Sequence, residues 1–249
     1  MSAERVAELL REAGGSAVAL TGAGISVPSG IPDFRSPGTG LWENVDPMEV
    51  AHIAAFRRDP ARFWSFYGER FALLRDKRPN GAHAALVELE RRGILDAVIT
   101  QNIDGLHREA GTRDLIEVHG SIGTASCPGC GASYALEEVR RLVDAGEGVP
   151  RCPACGRVVK PDVVMFGELL PEDAIDRAFE LARATQLLLV VGSALEVYPV
   201  AGLPLETLAA GGRFAIVNRG PTALDNTAAL VVDGSAGEVL GAVVDRVRG

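Results

Sequence analysis

Four cysteines stand in two matched pairs, Cys127-Pro-Gly-Cys130 and Cys152-Pro-Ala-Cys155, with 21 residues between the pairs. Each CxxC knuckle bends two thiolates toward one centre, and two knuckles complete a closed tetrahedral zinc site. The spacer is one residue longer than the common window of about 15–20. Four thiolates leave no open coordination position, so zinc here is structural rather than catalytic. Residues 126–157 set Arg140, Arg141, Arg151 and Arg157 against Glu137, Glu138, Asp144 and Glu147. That neutral balance, with no basic stripe, argues against a nucleic-acid-binding ribbon.

A second cluster is the loop "GAGISVPSGIPDFRSP", Gly22 to Pro37. Gly22-Ala-Gly24 follows an apolar run and lets backbone amides approach a pyrophosphate. Alone the pair fits a tight strand-to-helix turn equally well, since the full dinucleotide fingerprint is missing with Val27 at its last glycine. The rest of the loop favours a dinucleotide. Arg35 is a fixed cation suited to phosphate, Phe34 is a flat apolar face for a ring, and Asp33 can pair with an amide or hydroxyl.

Two further stretches carry polar groups where apolar ones are expected. "TQNIDGLH" places Gln101, Asn102 and Asp104 directly after an apolar run; an Asx turn accounts for one of them but hardly for three. "EVHGS" places His119 before Gly120 at the end of another extended segment. His52 and His107 sit in helical contexts and His83 at a helix start, so His119 alone opens onto a crevice. A neutral imidazole there can take a proton from a hydroxyl near pH 7.

These groups need a scaffold. The chain has 249 residues, 47% of them hydrophobic, enough for one large domain with small insertions. Short apolar runs, "SAVALTG", "DAVITQN", "TQLLLVVGS", "RFAIVN" and the weaker "AALVVDG", alternate with helical stretches at 3–13, 83–92, 171–183 and 236–248. Such runs describe an α/β fold, a parallel sheet covered by helices on both faces. Ligands of these sheets bind beyond the carboxyl ends of the strands, where the polar turns lie. Residues 36–80 and 126–157 interrupt the alternation. They read as a loop-and-helix insertion and a zinc module on a sheet domain of residues 1–125 and 158–249.

The net charge of −8 argues against nucleic acid and anionic membranes as partners. The amino-terminal segment has charges throughout its helical pattern and no apolar signal core. No stretch holds 18 uncharged apolar residues, so a soluble, cytoplasmic protein is expected.

Together, "GAGISVPSGIPDFR", "TQNIDGLH", "HG", the paired knuckles, "PDVVMFGE", "GSALEVYP" and "VN" stand in the order found in the sirtuins. The chain resembles these NAD-dependent protein deacylases over nearly its whole length. The resemblance implies a Rossmann-type sheet domain, a small structural-zinc module and NAD as a consumed co-substrate. It implies that Gly22, Ala23, Gly24, Ser26, Asp33, Phe34 and Arg35 line the cofactor loop. Gln101, Asn102, Ile103 and Asp104 hold the nicotinamide ribose and carboxamide, with Asn102 and Asp104 counted beside His119 as catalytic. Gly192, Ser193 and Asn218 meet the adenosine half, and the turn at Ser235 closes around adenine. The acyl oxygen attacks ribose C1′ as nicotinamide leaves, and His119 then acts as base on the ribose hydroxyls. Acyl-lysine-bearing proteins are the implied partners. Their peptide lies between "VVMFGE" and "ALEVYP", touching Val164, Phe166 and Val197. Ala194, Lys160 and Met165 depart from the commoner family residues without removing a catalytic group.

The acyl group turns on "RFWSFYGERFALL", residues 62–74. On a helix, Arg70 falls inside the stripe of Phe63, Phe66, Tyr67, Leu73 and Leu74, where a guanidinium needs an anionic partner. Tyr67-x-x-Arg70 resembles the pair with which desuccinylase-type sirtuins hold an acyl carboxylate. An internal salt bridge in an ordinary deacetylase accounts for Arg70 equally well. Other readings of the chain are ADP-ribosyl transfer, NAD hydrolysis, or a non-catalytic NAD- and zinc-binding module.

Overall fold

The computed structural model describes residues 2–33, 45–74, 76–145 and 148–247, with the side chains of all of these except 69–73. Strands β1 (Ala17–Thr21), β2 (Ala97–Thr100) and β3 (Leu115–Glu117) begin a parallel sheet. Strands β4 (Gly120–Ser126), β5 (Ser133–Ala135) and β6 (Lys160–Val163) form a separate antiparallel sheet. Strands β7 (Leu187–Val191), β8 (Arg213–Asn218) and β9 (Leu230–Asp233) complete the first, in the order β3-β2-β1-β7-β8-β9. All its pairings are parallel, with Thr21 of β1 opposite both Thr100 and Val191.

Burial on both faces explains the apolar runs. Every residue of β1, β2 and β7 is buried. Because side chains alternate along a strand, Ala17, Ala19, Leu187 and Leu189 meet one core while Val18, Leu20, Leu188 and Val190 meet the other. The first core is closed by α1 (Ser2–Glu12) through Val6 and Leu10. Helix α1 gives way to Gly14 and Gly15 in the left-handed region.

Between β1 and β2 come α2 (Pro47–Val50), α3 (Ile53–Arg58), α4 (Pro60–Leu74) and α5 (Gly81–Arg91). Helix α5 starts earlier than the apolar pattern because Asn80 caps it, accepting from Ala82 N, while His83 Nδ1 accepts from Asn80 N. Helices α6 (Leu106–Ala110) and α7 (Leu136–Ala145) follow β2 and β5. Helices α8 (Glu172–Ala184) and α9 (Leu203–Ala209) cover the second core, and α10 (Ala236–Arg246) returns to the first.

Strand β3 was not among the apolar runs. It has three residues, of which only Ile116 is buried, so it carries no run to read. The two insertions share one core: Phe56, Phe63, Trp64 and Tyr67 pack with Ile122, Val139, Val159, Val163 and Met165. Trp64 Nε1 donates to Val159 O at 3.1 Å, tying α4 to the zinc-knuckle region. The antiparallel sheet takes β4 and β6 from either side of residues 126–157. Among the described residues no helix is long and apolar enough to cross a membrane.

Candidate active site and zinc centre

Strand β1 lies between β2 and β7, and the chain proceeds outward from it in both directions. The turns after β1 and β7 therefore part at a topological switch point, where open α/β sheets bind ligands. Here these turns touch. Gly24 N donates to Gly192 O at 2.8 Å. A Cβ on Gly192, at φ +63°, would lie 2.3 Å from Ile25 N, and one on Gly24 would lie 2.8 Å from Gly192 Cα. Backbone-to-backbone packing thus accounts for these glycines. Gly192→Ala is expected to cost roughly 2–6 kcal/mol, combining left-handed strain with overpacking. Denaturant unfolding checks this, and a loss under 1 kcal/mol would show that the turns can separate.

The turn after β2 locks onto the turn after β1. Asn102 Nδ2 donates to Gly22 O at 3.1 Å and to Ser26 Oγ at 3.2 Å, and Ser26 Oγ donates to Asp104 Oδ2 at 2.7 Å. Asp104 Oδ1 accepts from Leu106 N at 2.9 Å, closing an Asx turn ahead of α6. Gln101 Nε2 reaches Ser193 Oγ at 2.9 Å, linking the turn after β7. His119, half-buried after β3, pairs through Nδ1 with Gln101 O at 3.0 Å. A carbonyl only accepts, so Nδ1 carries the proton and Nε2 of the neutral ring keeps its lone pair. Burial pushes His119 below its usual value, against the bond to Gln101 O, which pulls it up.

The four cysteines bring their sulfurs within 4.8 Å of one another, at 3.3 Å for Cys127–Cys155 and 3.6 Å for Cys130–Cys152. Zinc–sulfur bonds of about 2.3 Å in a tetrahedron need sulfurs roughly 3.8 Å apart, so the set fits one zinc ion. The knuckles repeat each other. Cys127 N donates to Ala132 O and Cys152 N to Arg157 O, while Gly131 and Gly156 take φ of +72° and +74°. Tyr134 Oη lies 3.0 Å from Cys152 Sγ, a donor to the thiolate that the spacing alone did not reveal.

The family model for the Sir2 family matches residues 22–199. The chain belongs to the Sir2 family. An NAD-dependent protein deacetylase of Caldivirga maquilingensis is 49% identical over 94% of this chain and 89% of its own length. An NAD-dependent protein deacylase of Pyrococcus abyssi is 48% identical over 94% of this chain and 93% of its own. A solved Sir2 complex with a deacetylated peptide and 3′-O-acetyl ADP-ribose superposes with a TM-score of 0.93 at 40% identity, covering 98% of each chain. A Sir2 protein bound to a propionylated peptide gives 0.89 at 39% identity, again over 98% of each chain.

Within this Sir2 fold, Gly22, Ala23, Gly24, Ser26, Gln101, Asn102, Ile103, Asp104, His119, Gly192 and Ser193 all sit just beyond the ends of four neighbouring strands. Asn218 ends β8, its amide turned onto Arg219 O and Gly220 O, and Ser235 precedes α10. Asp33 is described; Phe34 and Arg35 lie outside the described residues. Val164 N donates to His119 O at 2.9 Å, which seats the 163–168 segment against the histidine. Phe166 bridges to His52 and is 40% exposed. Val197 is half-buried and its carbonyl accepts from Ala201 N. Tyr67 is buried and stacked on Phe63 at 4.4 Å, whereas the side chain of Arg70 lies outside the described residues.

A further support escaped the sequence. Lys160 Nζ binds Val163 O at 2.9 Å and Glu168 Oε2 at 3.0 Å, and the same carboxylate oxygen accepts from Met165 N. This staple shapes the 163–168 segment from behind. The only signal was a Lys and a Glu eight residues apart, which no periodicity joins.

Proposed function

We infer that this Sir2-family chain is an NAD-dependent protein-lysine deacylase that releases nicotinamide, O-acyl-ADP-ribose and free lysine. The observation that carries the reading is the interlock of Asn102, Ser26 and Asp104 beside a histidine held with Nε2 unprotonated. NAD, when bound, supplies the activated ribose carbon to which the acyl oxygen transfers. The amides of Gly22, Gly24, Ile25 and Ser26 are taken by backbone carbonyls, so the partly exposed Ala23–Gly24 turn gives its pyrophosphate room rather than free donors, with Phe34 and Arg35 assigned to the same loop. Asn102 and Asp104 order the ribose and carboxamide half, while Gly192, Ser193, Asn218 and Ser235 serve the adenosine half. His119 accepts a ribose hydroxyl proton at Nε2, and its Nδ1–H bond to Gln101 O fixes the ring for that step. The edges at Val164 and Val197 receive the acyl-peptide as an added strand, with Phe166 beside the acyl chain.

The zinc module, residues 126–157 with its flanking strands, holds the 163–168 segment rather than taking part in the chemistry. A cytoplasmic location agrees with four unpaired cysteines in a zinc-type cluster, which a reducing compartment preserves. The test incubates the protein with NAD and matched acetyl-lysine and succinyl-lysine peptides, with all products followed by mass spectrometry. Acetyl-ADP-ribose is the expected product, and the acetyl-to-succinyl ratio decides whether Tyr67 and Arg70 clamp a carboxylate. NAD consumed over unchanged peptides would replace this reading with hydrolysis or ADP-ribosyl transfer. Intact NAD and peptides would leave a binding module.

A further inference from the structure

Behind the catalytic turns lies a buried polar layer that the chemistry does not use. Thr21 and Thr100 end β1 and β2 as register partners, and their hydroxyls meet at 2.8 Å. Thr100 Oγ1 also accepts the Asn102 N–H at 3.1 Å. His107 reaches back from α6, with Nε2 2.9 Å from Thr21 Oγ1. His83 is in edge contact with it, ring centroids 4.8 Å apart. Both histidines are buried, at 0% and 2% exposure for His83 and His107.

The tautomers follow from donor counting. His83 Nδ1 accepts from Asn80 N at 3.3 Å, so its proton is on Nε2. Among the described residues, His83 Nε2 and His107 Nδ1 are buried without partners. A proton on His107 Nδ1 would put two unmatched donors into one buried contact. A proton on Nε2 instead leaves a lone pair beside the His83 donor and serves Thr21 Oγ1. Thr21 then donates to Thr100, which also receives the Asn102 amide. Burial lowers both rings, against the pull of Asp104 on His83 and reinforced by His83 on His107, which is pushed down to about 3.

We propose that His107 is a positioning residue for the catalytic turn, holding Asn102 in register with the glycine turn through the paired hydroxyls of Thr21 and Thr100. The link matters because the Asn102 amide binds Gly22 O and Ser26 Oγ, and Ser26 in turn binds Asp104. A shift of the Asn102 backbone therefore moves Asn102 and Asp104, assigned to the nicotinamide ribose and carboxamide, together with Ser26 of the cofactor loop. The effect on catalysis rests on the deacylase reading; the tautomer and the NAD-binding consequence do not.

Nitrogen-15 NMR of the histidine rings in the wild-type protein is expected to show His107 as the neutral Nε2–H tautomer down to about pH 4. The Nδ1–H tautomer, or titration near 6.5, would overturn the proposal. His107→Leu and Thr21→Val cut the link on either side. Each is expected to raise the NAD KM, or the NAD Kd by calorimetry, ~10- to 100-fold with the acyl-peptide KM unchanged. His107→Gln, which returns an amide N–H near the Nε2 position, is expected to recover most of the loss. Folded variants that bind NAD as the wild type does would overturn the assignment. If His107→Leu does not fold, Thr21→Val and the wild-type NMR still decide it.

Discussion

His119→Ala is expected to lower acyl-ADP-ribose formation by ~10²–10⁴-fold, the usual contribution of a positioned general base. Nicotinamide release should survive, because the base is assigned to the ribose hydroxyls after nicotinamide has left. Substrate binding should survive as well. The bonds that order the 22–26 and 101–104 turns run among Gly22, Ser26, Asn102 and Asp104, with Thr100 behind Asn102 and Ser193 on Gln101, and none of these passes through the imidazole. Among the described residues, the His119 ring binds the turn at Gln101 O. The pH profile adds a second signature. An imidazole is a base only when unprotonated, and burial lowers the His119 value below 6.5. The acid limb of wild-type kcat/KM should therefore lie below pH 6.5, with activity falling as protons load Nε2. That limb should vanish in His119→Ala. A folded His119→Ala enzyme within tenfold of wild type would remove His119 from the reaction.

The parts of this site that read directly from sequence are those where a residue type contradicts its surroundings. Gln101, Asn102 and Asp104 follow a strand whose every side chain is buried, and His119 precedes a glycine at φ +74°. The cysteine knuckles were legible because their spacing is set by one small ion, whatever the surrounding fold. Supports that depend on tertiary register were not legible. Thr21 and Thr100 are ordinary strand residues until the β1–β2 register sets them opposite each other across 79 positions of sequence. The same holds for Tyr134, whose phenol reaches Cys152 only because β5 pairs with β4. Strand β3 and the common core of the two insertions fall in this class too, since contacts rather than periodicity define both.

Chelating the zinc, or Cys152→Ser, is expected to abolish deacylation without melting the six-stranded sheet. Cys127 and Cys152 are each 1% exposed and belong to the core that contains Trp64, Val159, Val163 and Met165. Neither cysteine belongs to the two cores that flank the parallel sheet. In zinc-finger peptides metal binding supplies about 10–16 kcal/mol of apparent folding energy, so four uncoordinated thiols leave the knuckles without their main constraint. The aromatic cluster of α3 and α4 still offers packing, so the antiparallel sheet should loosen rather than the whole chain unfold. The consequence then travels a short distance. Val163 of β6 pairs with Gly120, and Val164 N binds His119 O, so a displaced β6 releases both the peptide edge and the carbonyl of the base residue. In a Trp42→Phe background, Trp64 emission should shift to the red on chelation while far-UV circular dichroism changes little. One equivalent of zinc should restore both the spectrum and the activity. An unshifted Trp64 with full activity after chelation would mean that the aromatic core, not the four thiolates, holds β6 against His119.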